Sequence, residues 1–280
     1  AYAEVQKLRA SDGQAADAFG AALGLSATSA VIGARFDDDL GTSAGAAYVF
    51  IGAGLYLEQE KLHASDGAPG HKFGLAVAID GSTVLVSAEG ANSGKGQVYV
   101  EHSATQCVVL TRTQAQPGIC ADSYIATDFS DPTRSLTNYG GATSLHAGEV
   151  GLSLRRGLLQ FDVTSIPVNS TITNANLFLR QATAIGGGAV TVHAVSAPFS
   201  EATVTWSSFA AAFDPQPLLS FSSSSTNNGR DLMLDVLGPP MSALSGAGML
   251  LEKTGGGRIQ LGASEAPNAL SRPRLLLCYQ

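Results

Sequence analysis

Charge is scarce in this sequence: 16 Lys and Arg and 23 Asp and Glu make up only 14% of the 280 residues, against about 25% in an average soluble protein. The net charge of −7 and a sequence pI near 5.1 argue against a nucleic-acid partner, because phosphate recognition asks for clustered Lys and Arg. Long apolar runs are missing too, so nothing reads as a membrane-spanning helix, which needs roughly 18 or more consecutive apolar residues. The start shows no charged segment followed by an apolar one, the look of a mature chain after signal removal, and an extracellular or cell-surface location is expected. Cysteine is down to three, Cys107, Cys120 and Cys278, too few for a disulfide scaffold and without the CxxC spacing of zinc sites. One disulfide and one odd thiol are expected outside the cytosol. Two pairings stand open: Cys107 with Cys120, closing the loop VVLTRTQAQPGI, and Cys120 with Cys278, joining the first and last strands of the second half. Three free thiols is the third reading.

What the sequence does have is 45% hydrophobic residues and 32 glycines, spread as short Val/Leu/Ile runs between turns, the texture of an all-β protein. An internal repeat occupies the first hundred residues. Lys7-Leu8-Arg9-Ala10-Ser11-Asp12-Gly13 returns as Lys61-Leu62-His63-Ala64-Ser65-Asp66-Gly67, and Phe19-Gly20 returns as Phe73-Gly74, both 54 residues on. Val31-Ile32-Gly33-Ala34 matches Leu85-Val86-Ser87-Ala88, and Ala47-Tyr48-Val49-Phe50 matches Val98-Tyr99-Val100 after a three-residue shortening. Each copy reads as four short strands, the content of a propeller blade. These blocks resemble the FG-GAP repeat of integrin α-subunit heads. The resemblance implies two blades, at about 4–52 and 58–102 within residues 1–106, and calcium held by spaced acids in some blade loops. The matching loop of the first copy holds Asp37, Asp38 and Asp39. Three carboxylates supply part of a calcium shell, but consecutive strand residues point to opposite faces, so the acids converge only if the segment is a turn. A solvated acidic loop is the plainer reading, and no other cofactor is expected.

Residues 107–120 read as a linker, and residues 121–280 carry a different strand pattern. The stretches LLQFDVTSIP (158–167), TITNANLFL (171–179), EATVTW (201–206) and PRLLL (273–277) resemble the DNRLRE domain family. That resemblance implies a jelly-roll-like β-sandwich related to modules that bind acidic or neutral polysaccharides. Such modules combine aromatic platforms with hydrogen-bond donors, and the candidates are Tyr124, Tyr139, Asn138, Arg134, Arg155, Arg156 and Trp206. A single Trp ending an alternating strand reads as core before it reads as platform. Of Arg155 and Arg156, adjacent in a strand, only one faces any given ligand.

Enzyme signals are weak. Gly41-Thr42-Ser43-Ala44-Gly45 fits G-x-S-x-G but is followed by a strand where a nucleophile elbow needs a helix, and the five histidines show no metal-ligand spacing. A secreted or cell-surface, non-enzymatic protein for adhesion or for binding polysaccharide or a surface protein is therefore expected. The alternatives are a structural subunit of an extracellular fibre or sheath, and a polysaccharide-degrading enzyme if two carboxylates with perturbed pKa values face a groove. Propellers close with roughly four to eight blades, so two copies leave ends to be covered by blades removed from a longer precursor, by the second domain folding back or by neighbouring chains, and self-association is the expectation.

Overall fold

The computed structural model describes residues 4–52, 54–103, 105–116 and 118–280. The chain divides into two compact units, residues 1–108 and 109–279, and β-strands dominate both. In the first unit, β1 (Phe19–Leu25), β2 (Ser29–Ala34), β3 (Ala46–Gly52) and β4 (Tyr56–Leu62) form a four-stranded antiparallel blade. A second blade holds β5 (Phe73–Asp80), β6 (Thr83–Ala88) and β7 (Gln97–His102). The repeat is physical as well as textual. Phe19 packs edge-on against Tyr48 at 5.4 Å, and Phe73 packs the same way against Tyr99 at 5.3 Å. Gly20 and Gly74 share φ near +90°, at +93° and +89°, a conformation that glycine adopts without steric cost.

The blades stack through small residues. Val31, Ala47 and Val49 of the first blade pack with Val77, Ile79, Val84 and Val86 of the second, and Leu62 at the end of β4 and Ala64 just beyond it complete this core. At its closest point the contact is backbone on backbone: a Cβ on Gly33 would lie 2.0 Å from the Gly74 carbonyl oxygen. Only glycine allows that approach.

The second sheet has three strands, because the strand that opens the second repeat and ends at Lys61-Leu62 is β4, which pairs with β3 of the first sheet. The next strand, β8 (Gln106–Leu110), lies beyond the second repeat and follows β18 in the strand order of another sheet. Its apolar sequence suits that position, because every residue of β18 (Arg274–Tyr279) is buried.

That other sheet has eleven strands: besides β8 and β18, it contains β9 (Cys120–Asp128), β10 (Ser144–Val150), β11 (Ser153–Phe161), β12 (Ile172–Ile185) and β13 (Gly188–Val195). The remainder are β14 (Phe213–Ser223), β15 (Arg230–Asp235), β16 (Met249–Lys253) and β17 (Arg258–Gly262). Two strands each divide one edge between two neighbours. The start of β11 pairs with β10 and its end with β16, while β12 pairs with β18 and then, past a bulge at Gln181/Thr183, with β17. Such switching turns one sheet into the two layers of a sandwich.

The cysteines depart from both expected pairings. Cys107 and Cys278 are disulfide-bonded, and Cys120 is the free thiol. Cys120 opens β9 opposite Phe161 and has no exposed surface, so it behaves as a core residue. Burial pushes its thiol pKa well up.

The Gly33 contact is testable. Gly33→Ala is expected to destabilise the blade pair by about 1–3 kcal/mol through overpacking, read by chemical denaturation. Gly118→Ala, whose added carbon meets nothing within 4 Å, is expected to stay within about 0.5 kcal/mol of the parent.

Candidate functional site

Antiparallel register decides which residues share a face, because neighbours across a ladder point the same way and alternate residues match. Arg155 of β11 lies opposite Ala126 of β9 and Gly148 of β10, and Gly148 lies opposite Arg258 of β17. Two residues along, Tyr124 faces Gly157 on the same side, as does His146 opposite Gln260. Strands separated in sequence by more than a hundred residues thus bring Tyr124, His146, Arg155 and Arg258 to one face.

Two loops complete the cluster. Arg134 comes from the 3-10 turn Pro132–Leu136, whose start is capped by Asp131 accepting from the Thr133 N–H at 3.0 Å. Tyr139 comes from the following loop and stacks on Tyr124 with ring centroids 4.3 Å apart and planes 18° apart. Asn138 pins that loop: its Nδ2 donates to the carbonyls of Glu201 at 2.9 Å and Val204 at 2.8 Å, and its Oδ1 accepts from the Gly140 N–H. A Cβ on Gly140 would sit 1.9 Å from the Glu201 carbonyl oxygen, so the loop can only close with glycine there. His146 meets Tyr124 edge-on at 4.8 Å, and the Arg155 guanidinium lies 5.7 Å from the Tyr124 ring centroid.

The electrostatics are lopsided. Burial lowers the Arg155 pKa, and the positive charges of Arg134 and Arg258 lower it further against the Tyr124 hydroxyl. Burial, Arg155 and Arg258 bring His146 down to about 4, leaving it neutral at pH 7. Arg134 has a carboxylate partner in Asp128 at 3.4 Å. The buried Nε atoms of Arg134, Arg155 and Arg258 and the buried Nδ1 of His146 have no hydrogen-bond partner among the described residues. Four such groups beside a stacked tyrosine pair form a donor-rich, cationic and aromatic surface, whereas buried polar groups are ordinarily satisfied.

Arg156 and Trp206 lie on the opposite side. The Arg156 Nε donates to Glu252 Oε1 at 2.8 Å, its Nη1 donates to the Ala210 carbonyl at 2.6 Å, and its guanidinium lies over the Trp206 and Phe213 rings. Trp206 starts a short helix, Trp206–Phe209, capped by Thr205, and packs against a core of Ile125, Leu158 and Phe209. Sequence reasoning missed His146 and Arg258, since only strand register marks them.

Two family descriptions match the chain. Residues 2–50 and 56–100 match the FG-GAP repeat, and residues 116–236 match carbohydrate-binding module family 96. The chain joins two FG-GAP repeats to a family 96 carbohydrate-binding module. No curated protein matches it. Among solved structures, one of the infectious bursal disease virus Gt strain is similar at 12% identity over 92% of this chain and 74% of that chain, with a TM-score of 0.11. Another, of T=1 particles derived from infectious bursal virus, shows 12% identity over 91% and 70%, with a TM-score of 0.12. Likeness at that level carries no argument.

In the first FG-GAP repeat a protein cation stands among the acids. The Lys61 ammonium lies 2.8 Å from Asp12, 2.8 Å from Asp37 and 2.6 Å from Asp39, and the Tyr48 hydroxyl lies 2.8 Å from Asp12 and 3.0 Å from Asp37. Burial pulls the Lys61 pKa down, but its three carboxylate partners outweigh this and raise it. Asp38 turns away and accepts from the Ser43 N–H at 2.6 Å. The loop is therefore a turn that converges two of its three acids, and Asp37, Asp39 and His63 present possible ligand atoms within 4.8 Å of one another. With Lys61 in place, millimolar calcium is expected to leave the melting temperature unchanged. Lys61→Gln removes the competing cation and should make melting rise with calcium concentration, as ligand linkage requires. A calcium-dependent rise in the parent would show that the ammonium does not occupy the position.

In the second unit, Asp122, Glu201 and Glu265 bring carboxylate oxygens within 4.8 Å of one another. Arg112 Nη1 stands among them, donating to Glu201 at 2.9 Å, to Ser264 Oγ at 3.1 Å and to Glu265. Asp122, 1% exposed, accepts from the Ser264 N–H at 2.6 Å. One guanidinium against three carboxylates leaves excess negative charge, and the cluster answers by holding protons. Burial, then Glu265, pushes Glu201 up to about 7, and burial with Glu265 raises Asp122 well above the usual carboxylate range. A hydrolytic pair needs free space between its carboxylates; here Arg112 bridges Glu201 and Glu265.

The sign of the pH effect follows. These acids bind protons more tightly in the folded chain, so their contribution is fully present below their unfolded pKa values, near 4, and is lost as pH rises through about 7. The melting temperature of the full chain should fall by several degrees between pH 5 and pH 8. Glu201→Gln should flatten that slope. An equal slope in this variant would remove Glu201 as its source.

Proposed function

We infer that this protein is an extracellular, non-enzymatic binding protein whose second unit takes acidic polysaccharide chains on the face built from Tyr124, Tyr139, Arg134, Arg155 and Arg258. The carrying observation is that the buried Nε groups of all three arginines lack a partner among the described residues beside a stacked aromatic pair. A sugar ring offers a C–H face to tyrosine, and a uronic carboxylate or a sulfate offers the planar anion that a guanidinium grips through two parallel hydrogen bonds. A neutral sugar would leave the half-buried charges of Arg155 and Arg258 uncompensated, Arg134 having Asp128 beside it. An anionic one compensates them, in a chain whose net charge of −7 would otherwise repel it. The disulfide supports an extracellular setting. The FG-GAP pair serves attachment, to a surface protein or to further copies of the chain.

Affinity electrophoresis of the full chain in polygalacturonate, with a neutral β-glucan gel beside it, tests this. Retardation is expected in the acidic gel alone and should weaken with salt. Arg155→Gln should weaken it at least tenfold, whereas Arg230→Gln, on the exposed start of β15, should leave it within twofold. Equal retardation in both gels, or unchanged binding by Arg155→Gln, would overturn the acidic-ligand reading.

A further inference from the structure

The internal repeat supplies a template for what covers the two open faces of the FG-GAP pair. In the first blade, Val31, Ala47 and Val49 form the side that the second blade covers. Their counterparts in the second blade are Leu85, Val98 and Val100, and these stand 41%, 63% and 66% exposed. The register confirms that they share one side: Leu85 lies opposite both Ala78 and Val100, and Ser87 lies opposite Val98. All are uncharged. β7 is also the terminal strand of its sheet.

The other end of the pair shows the complementary feature. Val77 and Ile79 are the residues of the second blade that pack onto the first. Their counterparts 54 positions earlier are Leu23 and Leu25, in β1, and these are 71% and 72% exposed. They lie opposite Ile32 and Ala30, on the side of the blade turned away from its partner. The segment that passes over this side, with Leu8 and Ala10, matches Leu62 and Ala64 in the covered contact. One end therefore exposes the front of an interblade contact and the other end exposes the back of the same contact.

We propose that two copies of this protein dock head to tail through the FG-GAP pair, Leu23 and Leu25 of one copy seating on Leu85, Val98 and Val100 of the next. This rests on the self-association included in the proposed function and gives it a surface and a direction. The contact reproduces the one inside the chain, with one difference. Ser87 stands where Gly33 makes its backbone approach, and a Cβ at that point collides with the neighbour's carbonyl, so the blades of two copies sit less closely than the covalent pair and bind more weakly. The contact is heterologous: it leaves a free front and a free back on every assembly, and it continues into rings or filaments. Residues 1–106 carry 12 acids and 6 bases, a balance of −6, so association should strengthen with salt.

Sedimentation velocity on the full chain from micromolar to submillimolar concentration provides the test, with two double variants. Leu23→Glu with Leu25→Glu blocks the front, and Val98→Glu with Val100→Glu blocks the back. All four residues are exposed, and circular dichroism melting checks that each variant folds. The parent should grow beyond a dimer with concentration, each variant alone should remain monomeric, and an equimolar mixture should stop at a dimer joined by the one intact front and the one intact back. A parent that stays monomeric throughout would overturn self-association itself. A parent that associates while either variant still does so alone would leave self-association standing and overturn the surface named here.

Discussion

A buried charge needs a counter-charge, and in a chain with so few charges this requirement organises the polar interior. The ion desolvates at a cost of several kcal/mol unless something opposite stands beside it. In the first FG-GAP repeat the requirement is met by one ammonium among three carboxylates, Lys61 with Asp12, Asp37 and Asp39. In the second unit it is met by one guanidinium among three carboxylates, with protons making up the deficit at Asp122 and Glu201. At Tyr124 the pattern inverts. Arg134, Arg155 and Arg258 gather round the ring with Asp128 as the one carboxylate paired to them in the described structure, and the missing anion becomes a specification for a ligand.

The architecture was legible where the physics is local or repetitive. Phe19, Tyr48 and their counterparts Phe73 and Tyr99 make the same edge-on contact, because an aromatic pair and a glycine with positive φ recur at matched spacing. The all-β character of the second unit was readable for the same reason: alternation in stretches such as Val190-Thr191-Val192-His193 is a local property of a half-buried strand.

The candidate site was only half legible. Tyr124, Tyr139, Arg134 and Arg155 were visible as residue types, but what gathers them is register between β9, β10, β11 and β17, a non-local quantity. Arg258 follows three glycines and His146 stands alone in its stretch, so neither announces itself. The adjacent pair Arg155-Arg156 was separable in principle, since alternate residues take opposite faces, but which one faced the tyrosines required the layers to be known. Asn138 was read as a ligand donor and instead ties the Tyr139 loop to Glu201 and Val204. The cysteines failed for a related reason: spacing favoured Cys120 as a partner, and Cys120 is sealed in the core.

The two sheets of the FG-GAP pair differ in a way that the same charge requirement explains. In the first, β4 places Lys61 directly opposite Tyr48, and the loop supplies Asp37 and Asp39 to meet it. In the second, β7 is the terminal strand of its sheet, so among the described residues no strand holds a cation opposite Tyr99 as β4 holds Lys61 opposite Tyr48. The acids are gone as well: the matching loop reads Glu89-Gly90-Ala91-Asn92-Ser93-Gly94, and Tyr99 is left with Asp66 and Gln97 as partners. Had the cation gone and the acids stayed, two half-buried carboxylates would face each other across a tyrosine with nothing to balance them. Had the acids gone and the lysine stayed, its ammonium would keep Asp66 as its one carboxylate. Cation and anions depart together because neither is tolerable without the other.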